Sequence, residues 1–169
     1  MPLSMYQASV PAFERTLTNL KAILEKAAAH AKDHKIEESV LIGARLFPDM
    51  LPFSKQIQIA SDFARGTSAR LTGGEPPSFE DKEATFAELV TRIDKTLDYL
   101  KTMQPAKFEG AETREISRPV GGKPMKFSGT DYLIKYALPN FYFHSTTAYA
   151  ILRHNGVALG KGDFIGSFG

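Results

Sequence analysis

The chain has 169 residues, 43% of them hydrophobic, a formal net charge of +2 and no cysteine. That length fits a single domain over residues 1–169 with a substantial core, and the lack of cysteine removes disulfides, thiolate metal sites and a cysteine nucleophile. Both charge signs are interleaved along most of the sequence, a balance that predicts neither nucleic-acid nor membrane binding.

The opening Met1-Pro2-Leu3-Ser4-Met5-Tyr6-Gln7 lacks the basic end and long apolar run of a signal peptide. No apolar stretch is long enough to span a bilayer, so a soluble cytoplasmic protein is expected. Leu3, Tyr6, Val10, Phe13, Leu17, Leu20, Leu24 and Ala27 then recur at steps of three and four and predict one long helix with a narrow apolar stripe. Pro11 interrupts it, so the helix either begins near Ser9 or kinks; the unbroken stripe favours the kink.

A short apolar run through Leu46 precedes Phe47-Pro48-Asp49, where Asp49 is read as the N-cap of a second long helix striped by Met50, Phe53, Ile57, Ala60, Ala64 and Leu71. Gly73-Gly74 and Pro76-Pro77 mark a loop. Ser78 with Asp81 resembles a cap for a third helix, with Phe86, Val90, Ile93, Leu97 and Leu100 toward the core and Glu88 paired to Arg92 on another face.

Two extended runs, Glu112 to Val120 and Lys123 to Ser128, flank Gly121-Gly122 and predict a hairpin of short edge strands. Its basic residues Arg114, Arg118, Lys123 and Lys126 are diluted by Glu112 and Glu115 and read as a solvated ribbon. Ser128 or Thr130 can cap a fourth long helix that Gly156 stops. The glycine-rich tail is expected to hold no regular element, although Phe164, Ile165 and Phe168 can pin it to the rest. Four long amphipathic helices must cover one another's stripes, which predicts an all-α four-helix bundle with a small β-hairpin between the third and fourth long helices.

His144 shares a helical face with Phe141 and Ala148 and should point inward, where an imidazole needs polar partners. Asn140, one turn earlier, is the nearest predictable one. Either the two form a satisfied polar pair in an apolar bundle, or they mark a ligand site. The second reading is supported by Pro139, which frees the Lys135 carbonyl and should bend the helix just before Asn140. Asp49 and Gln56 lie seven positions apart on one side of the second helix, and either can complete such a site. His30, His34 and His154 are expected to be solvated or near helix ends. Phosphate-loop, nucleophile-elbow and His-Glu-x-x-His patterns do not occur.

Three phrases carry a family resemblance: Ala44-Arg45-Leu46-Phe47-Pro48-Asp49-Met50 leading into Gln56, Ala69-Arg70-Leu71-Thr72-Gly73, and Phe143-His144 through Tyr149-Ala150-Ile151-Leu152-Arg153-His154-Asn155-Gly156 with Asp163-Phe164. Over nearly its whole length the chain resembles the DinB-like superfamily of four-helix bundles, most nearly an uncharacterised bacterial branch. Metal-binding members hold nickel or zinc with three histidines, one from the second helix and an i, i+4 pair from the fourth. His144 resembles the last of these, but Asn140 stands at the first position of the pair, and the second helix has no histidine.

Amides are poor ligands for such ions, so the resemblance implies no tightly bound metal and no cofactor. It also implies a homodimer. Two functional expectations follow: a small ligand or partner bound near His144, Asn140, Gln56 and Asp49, or a structural role; alternatively, a thiol-transferase-like enzyme in which His144 is a general base or weak metal ligand.

Overall fold

A computed structural model describes residues 3–167. Helix α1 (Val10–Asp33) starts just before Pro11, which lies in its first turn. The expected kink at Pro11 is replaced by this helix start, because first-turn N–H groups have no intrahelical acceptor and the proline loses nothing there. A separate turn precedes it, in which Ser9 Oγ donates to the Met5 carbonyl at 2.6 Å. From Val10 to Ala27 the predicted stripe is buried, whereas Leu3 is exposed.

After α2 (Glu38–Ile42), a single short helix, the second long helix is α3 (Phe53–Leu71). Asp49 is not its cap. Pro52 holds that place with φ −69° and ψ 165°, and a proline keeps the residue before it out of the helical region, so no helix can run from Asp49 through Leu51.

The third long helix, α4 (Phe86–Lys101), is capped by Thr85 and Glu88 rather than by Ser78 and Asp81: Thr85 Oγ1 accepts the Glu88 amide at 3.2 Å while Glu88 Oε2 accepts the Thr85 amide at 3.1 Å. Glu88 also accepts the Ala84 amide at 2.7 Å. These amides, Ala84 first, hold the Glu88 carboxyl below its ordinary pKa. The expected Glu88–Arg92 pair therefore does not form.

Arg92 turns inward to Asp62, Asp81 and Glu83, at 2.8, 3.0 and 2.9 Å, with its side chain 1% exposed. Burial alone would lower its pKa, but the Glu83 hydrogen bond and the charge of Asp62 outweigh it and leave the value raised. The predicted Asp81 cap is spent on this network.

Strands β1 (Glu115–Val120) and β2 (Lys123–Ser128) pair antiparallel as predicted, from Glu115 opposite Ser128 to Val120 opposite Lys123. Gly121 and Gly122 turn between them at φ 57° and 77°, the left-handed pair that a tight two-residue hairpin requires.

The fourth long helix runs as α5 (Gly129–Asp131), a π-helical stretch (Tyr132–Ala137) and α6 (Leu138–His154). Ser128 caps it by accepting the Asp131 amide at 3.2 Å. The interruption expected at Pro139 is taken up just upstream, where the helix widens into the π turn. Gly156, at φ 89°, follows its end as predicted.

In the bundle α1 packs on α4, α4 on α3, and α3 on α6, while α6 returns to α1. The successive long helices α1 and α3 thus lie across a diagonal, a crossover topology that the long connections permit. Phe13 meets Phe141 edge-to-face at 4.8 Å, and Phe53 meets Phe86 at 6.0 Å. Each such buried side chain contributes about 1.5–3 kcal/mol relative to exposure.

Contrary to expectation, the tail folds into a short helix, α7 (Lys161–Ile165). Tertiary partners stabilise it: Asn19 Nδ2 donates to the Phe164 carbonyl at 2.9 Å, and Lys26 pairs with Asp163 at 2.6 Å. Phe164 packs on Tyr149 at 5.9 Å; Phe168 lies outside the described residues. Among the described residues no helix is long and apolar enough to cross a membrane.

Candidate functional site

α3 and α6 meet along the wall that carries His144. Its ring is half-buried, and its Nδ1 lies 2.7 Å from Oε1 of Gln56, itself 1% exposed. At the other end of that amide, Gln56 Nε2 donates to the Leu51 carbonyl at 2.9 Å. A carbonyl can only accept, which places the NH2 of Gln56 at Leu51 and its oxygen at the imidazole. The proton of neutral His144 therefore sits on Nδ1, and Nε2 carries the lone pair. Burial holds the His144 pKa below its ordinary value, favouring that neutral form. Nε2 has no hydrogen-bond partner among the described residues.

The sequence pointed to Asn140 as the partner of His144, and the fold assigns Gln56 instead. Asn140 Nδ2 donates back to the Tyr136 carbonyl at 2.7 Å, an acceptor at the edge of the π turn. Its Oδ1 has no partner among the described residues. Asp49 is exposed in the turn before α3 and bonds to none of the other three. The site thus joins Gln56, His144 and, one turn away, Asn140. His34 Nδ1 lies 2.9 Å from the His30 carbonyl, and His154 ends α6 in solvent, both as expected.

Periodicity alone missed two features around His144. Phe63, two turns beyond Gln56 on α3, stacks on the His144 ring at 6.3 Å and meets the Tyr136 ring at 5.5 Å and a tilt of 60°. On another face of α6, Leu46, Pro139, Tyr142, Phe143, Thr146 and Ala150 line an open, mainly apolar groove of about 510 Å3; Phe143, one of its walls, meets the His144 ring edge-on at 5.2 Å. The i+7 spacing from Gln56 to Phe63 was the available signal for the first; the second depends on a loop returning to α6.

The family profile of DUF1993, described as a domain of unknown function, matches residues 5–165. The chain belongs to the DUF1993 family. A crystal structure of a DinB family member protein from Shewanella denitrificans superposes on this DUF1993 chain with a TM-score of 0.91 and 44% sequence identity, covering 97% of this chain and 93% of that one. No curated protein matches it. The DUF1993 chain is therefore a DinB-like bundle, as its sequence phrases implied, with the small hairpin that the runs around Gly121-Gly122 predicted.

The DinB-like metal set does not fit the residues of this DUF1993 chain. Gln56 Oε1 is occupied by the His144 N–H, and Asn140 has turned its amide nitrogen to Tyr136, which leaves one imidazole where three are required. Among the described residues no three His, Asp or Glu side chains are gathered to hold an ion.

Two arginines of the predicted solvated hairpin also depart from expectation. Arg114 Nη1 donates to the Leu71 carbonyl, and Arg118 is half-buried with its Nε sealed from solvent. Arg114, just before β1, and Arg118 within it both lie against the C-terminal end of α3, so their long side chains fold back onto the bundle.

Proposed function

We propose that this DUF1993 chain is a small-ligand-binding protein with its site at Nε2 of His144, with Asn140 one turn away on the same helix. The observation that carries this reading is the fixed tautomer: Gln56 Oε1 accepts the hydrogen bond of Nδ1–H and leaves Nε2 a neutral, partly desolvated nitrogen with an open lone pair. Asn140 Oδ1 offers a second open acceptor one helical turn away. Two acceptors beside the rings of Phe63 and Phe143 favour a ligand that donates hydrogen bonds and carries a hydrophobic body.

Thermal-shift screening of small alcohols, amines and thiols against the wild type and His144→Ala tests this, since a specific binder raises the melting temperature with its concentration. Compounds that stabilise the wild type and not the variant support the site. Shifts of equal size in both remove it.

The lowered His144 pKa favours a second reading, a general-base enzyme of the DinB-like, thiol-transferase-like kind. In it Nε2 takes the proton of a low-molecular-weight thiol. Turnover with such thiols that disappears in His144→Gln and follows one basic group in its pH profile distinguishes it from simple binding.

A homodimer through the groove face accompanies either reading. Phe47, Tyr142 and Phe143 are 63%, 39% and 58% exposed, an unusual concentration of large apolar side chains next to one groove. Light scattering should give twice the chain mass, reduced to one by Phe143→Glu.

A further inference from the structure

Arg65 and Arg92, the buried arginines between α3 and α4, both face carboxylates: Asp62 for Arg65 at 2.8 Å, and three acidic groups for Arg92. Arg70 and Arg118 are built differently. Both are half-buried, and neither forms an ion pair with any described residue. The side chain of Arg118, on β1, makes no hydrogen bond among the described residues. A half-buried guanidinium with no opposing carboxylate has given up part of its hydration without gaining a charge partner, and an anion against its open face supplies one.

Arg118 and Arg70 line one small cavity of about 50 Å3, together with Phe63, Tyr132 and Asp62. It lies where the C-terminal half of α3, the π turn and β1 come together. Arg70 Nη1 donates to the Tyr132 hydroxyl at 3.4 Å, which leaves the phenolic O–H free to donate in turn.

Gly66, one turn before Arg70, makes this arrangement possible. A Cβ at that position would collide with Nη1 of Arg70, so the guanidinium lies back along α3 over a residue with no side chain. Glycine weakens a helix interior relative to alanine, and here it leaves the space that the Arg70 head occupies. Asp62, the one acidic wall, is held by Arg65 and Arg92 at 2.8 Å each, so its charge is compensated from the far side.

We propose that Arg70 and Arg118 form a binding site for an oxyanion, a carboxylate or phosphate carried on a small apolar molecule, with Tyr132 as a further donor. Guanidinium forks match the paired oxygens of both head groups. The cavity holds a head group and little more, and Phe63 supplies an apolar wall for what carries it. The site is independent of the His144 reading, since it uses no residue of the His144–Gln56 pair.

Calorimetric titration of the full chain with benzoate, phenyl phosphate and the neutral benzyl alcohol tests the proposal. One benzoate or phenyl phosphate should bind per chain, benzyl alcohol much more weakly, and the tighter anion identifies the head group. Arg70→Gln and Arg118→Gln should each weaken that binding by about tenfold or more, the loss of a charge-assisted hydrogen bond.

Tyr132→Phe keeps the ring and removes one donor, so a smaller loss is expected with the fold intact. Arg153→Gln, a change at an exposed arginine outside the cavity, should leave binding unchanged. The proposal fails if neither anion binds saturably, or if Arg153→Gln weakens binding as much as Arg118→Gln. It also fails if Arg118→Gln lowers stability while anion affinity stays the same, the behaviour of an arginine that only balances Asp62.

Discussion

The ring of Phe63 lies within 18° of parallel to the imidazole of His144, with centroids 6.3 Å apart. An apolar ring thus stands over the half-buried imidazole while Gln56 holds one nitrogen, so the ring loses water without gaining a charge partner. That is the physical origin of its lowered pKa.

The pH dependence follows with a definite sign. The folded chain binds the His144 proton less readily than the unfolded chain, whose value is the ordinary 6.5. The stability gained by keeping the ring neutral is therefore complete above that value and is lost as pH falls from there through the folded pKa. Urea melts from about pH 8 to about pH 5 should show a decline that is shallower in His144→Gln. Equal slopes in the two proteins would show that the ring titrates as in the unfolded chain.

Rebuilding the histidine set offers a separate check on the metal account. Asn140→His alone should raise zinc or nickel affinity only modestly, because α3 still presents the amide of Gln56. Gln56→His with Asn140→His supplies the two missing imidazoles beside His144 and should bind at least about tenfold more tightly than the single variant. Calorimetry with each ion decides; equal affinities would mean that the backbone positions are unsuited to a metal.

Arg92→Met should be strongly destabilising. It strips the shared cation from Asp62, Asp81 and Glu83, whose side chains are 45%, 39% and 12% exposed. Breaking a buried pair costs about 3–5 kcal/mol, and the partial solvation of Asp62 and Asp81 places this case near about 3 kcal/mol. The denaturation midpoint measures it, and a loss under about 1 kcal/mol would show the network to be a surface ion pair in energetic terms.

Gly129→Ala addresses the entry to the fourth helix. A Cβ there would run into the Ala111 carbonyl, and backbone cannot move aside as a flexible side chain can. Overpacking of this kind costs about 1–3 kcal/mol. Calorimetric melting should register the loss; an unchanged melting temperature would mean that the loop before β1 yields freely.

Much of the scaffold was legible because it rests on local rules. The stripes of α1, α3 and α4, the Gly121-Gly122 hairpin and the Gly156 stop each follow from periodicity or from one residue's φ preference. The errors share a cause: competing partners far away in sequence. Asp81 is a good cap by type and is taken instead by Lys55 and Arg92, while Arg92 is a surface residue by type and is drawn inside by three carboxylates. The glycine-rich tail has low helix propensity and folds because Asn19 and Lys26 of α1 hold it.

At the site, the sequence by itself determined that one inward-facing imidazole, His144, stands on the fourth helix, with the amide of Asn140 one turn before it and no histidine on the second long helix. Only the tertiary structure decided that Gln56, eighty-eight positions away, rather than Asn140, holds the His144 proton. Helical spacing fixes which side chains share a face, but the pairing across a helix interface depends on how two rods are set against each other. Here the Leu51 carbonyl, freed by the extended chain before Pro52, fixes the Gln56 amide and with it the open nitrogen.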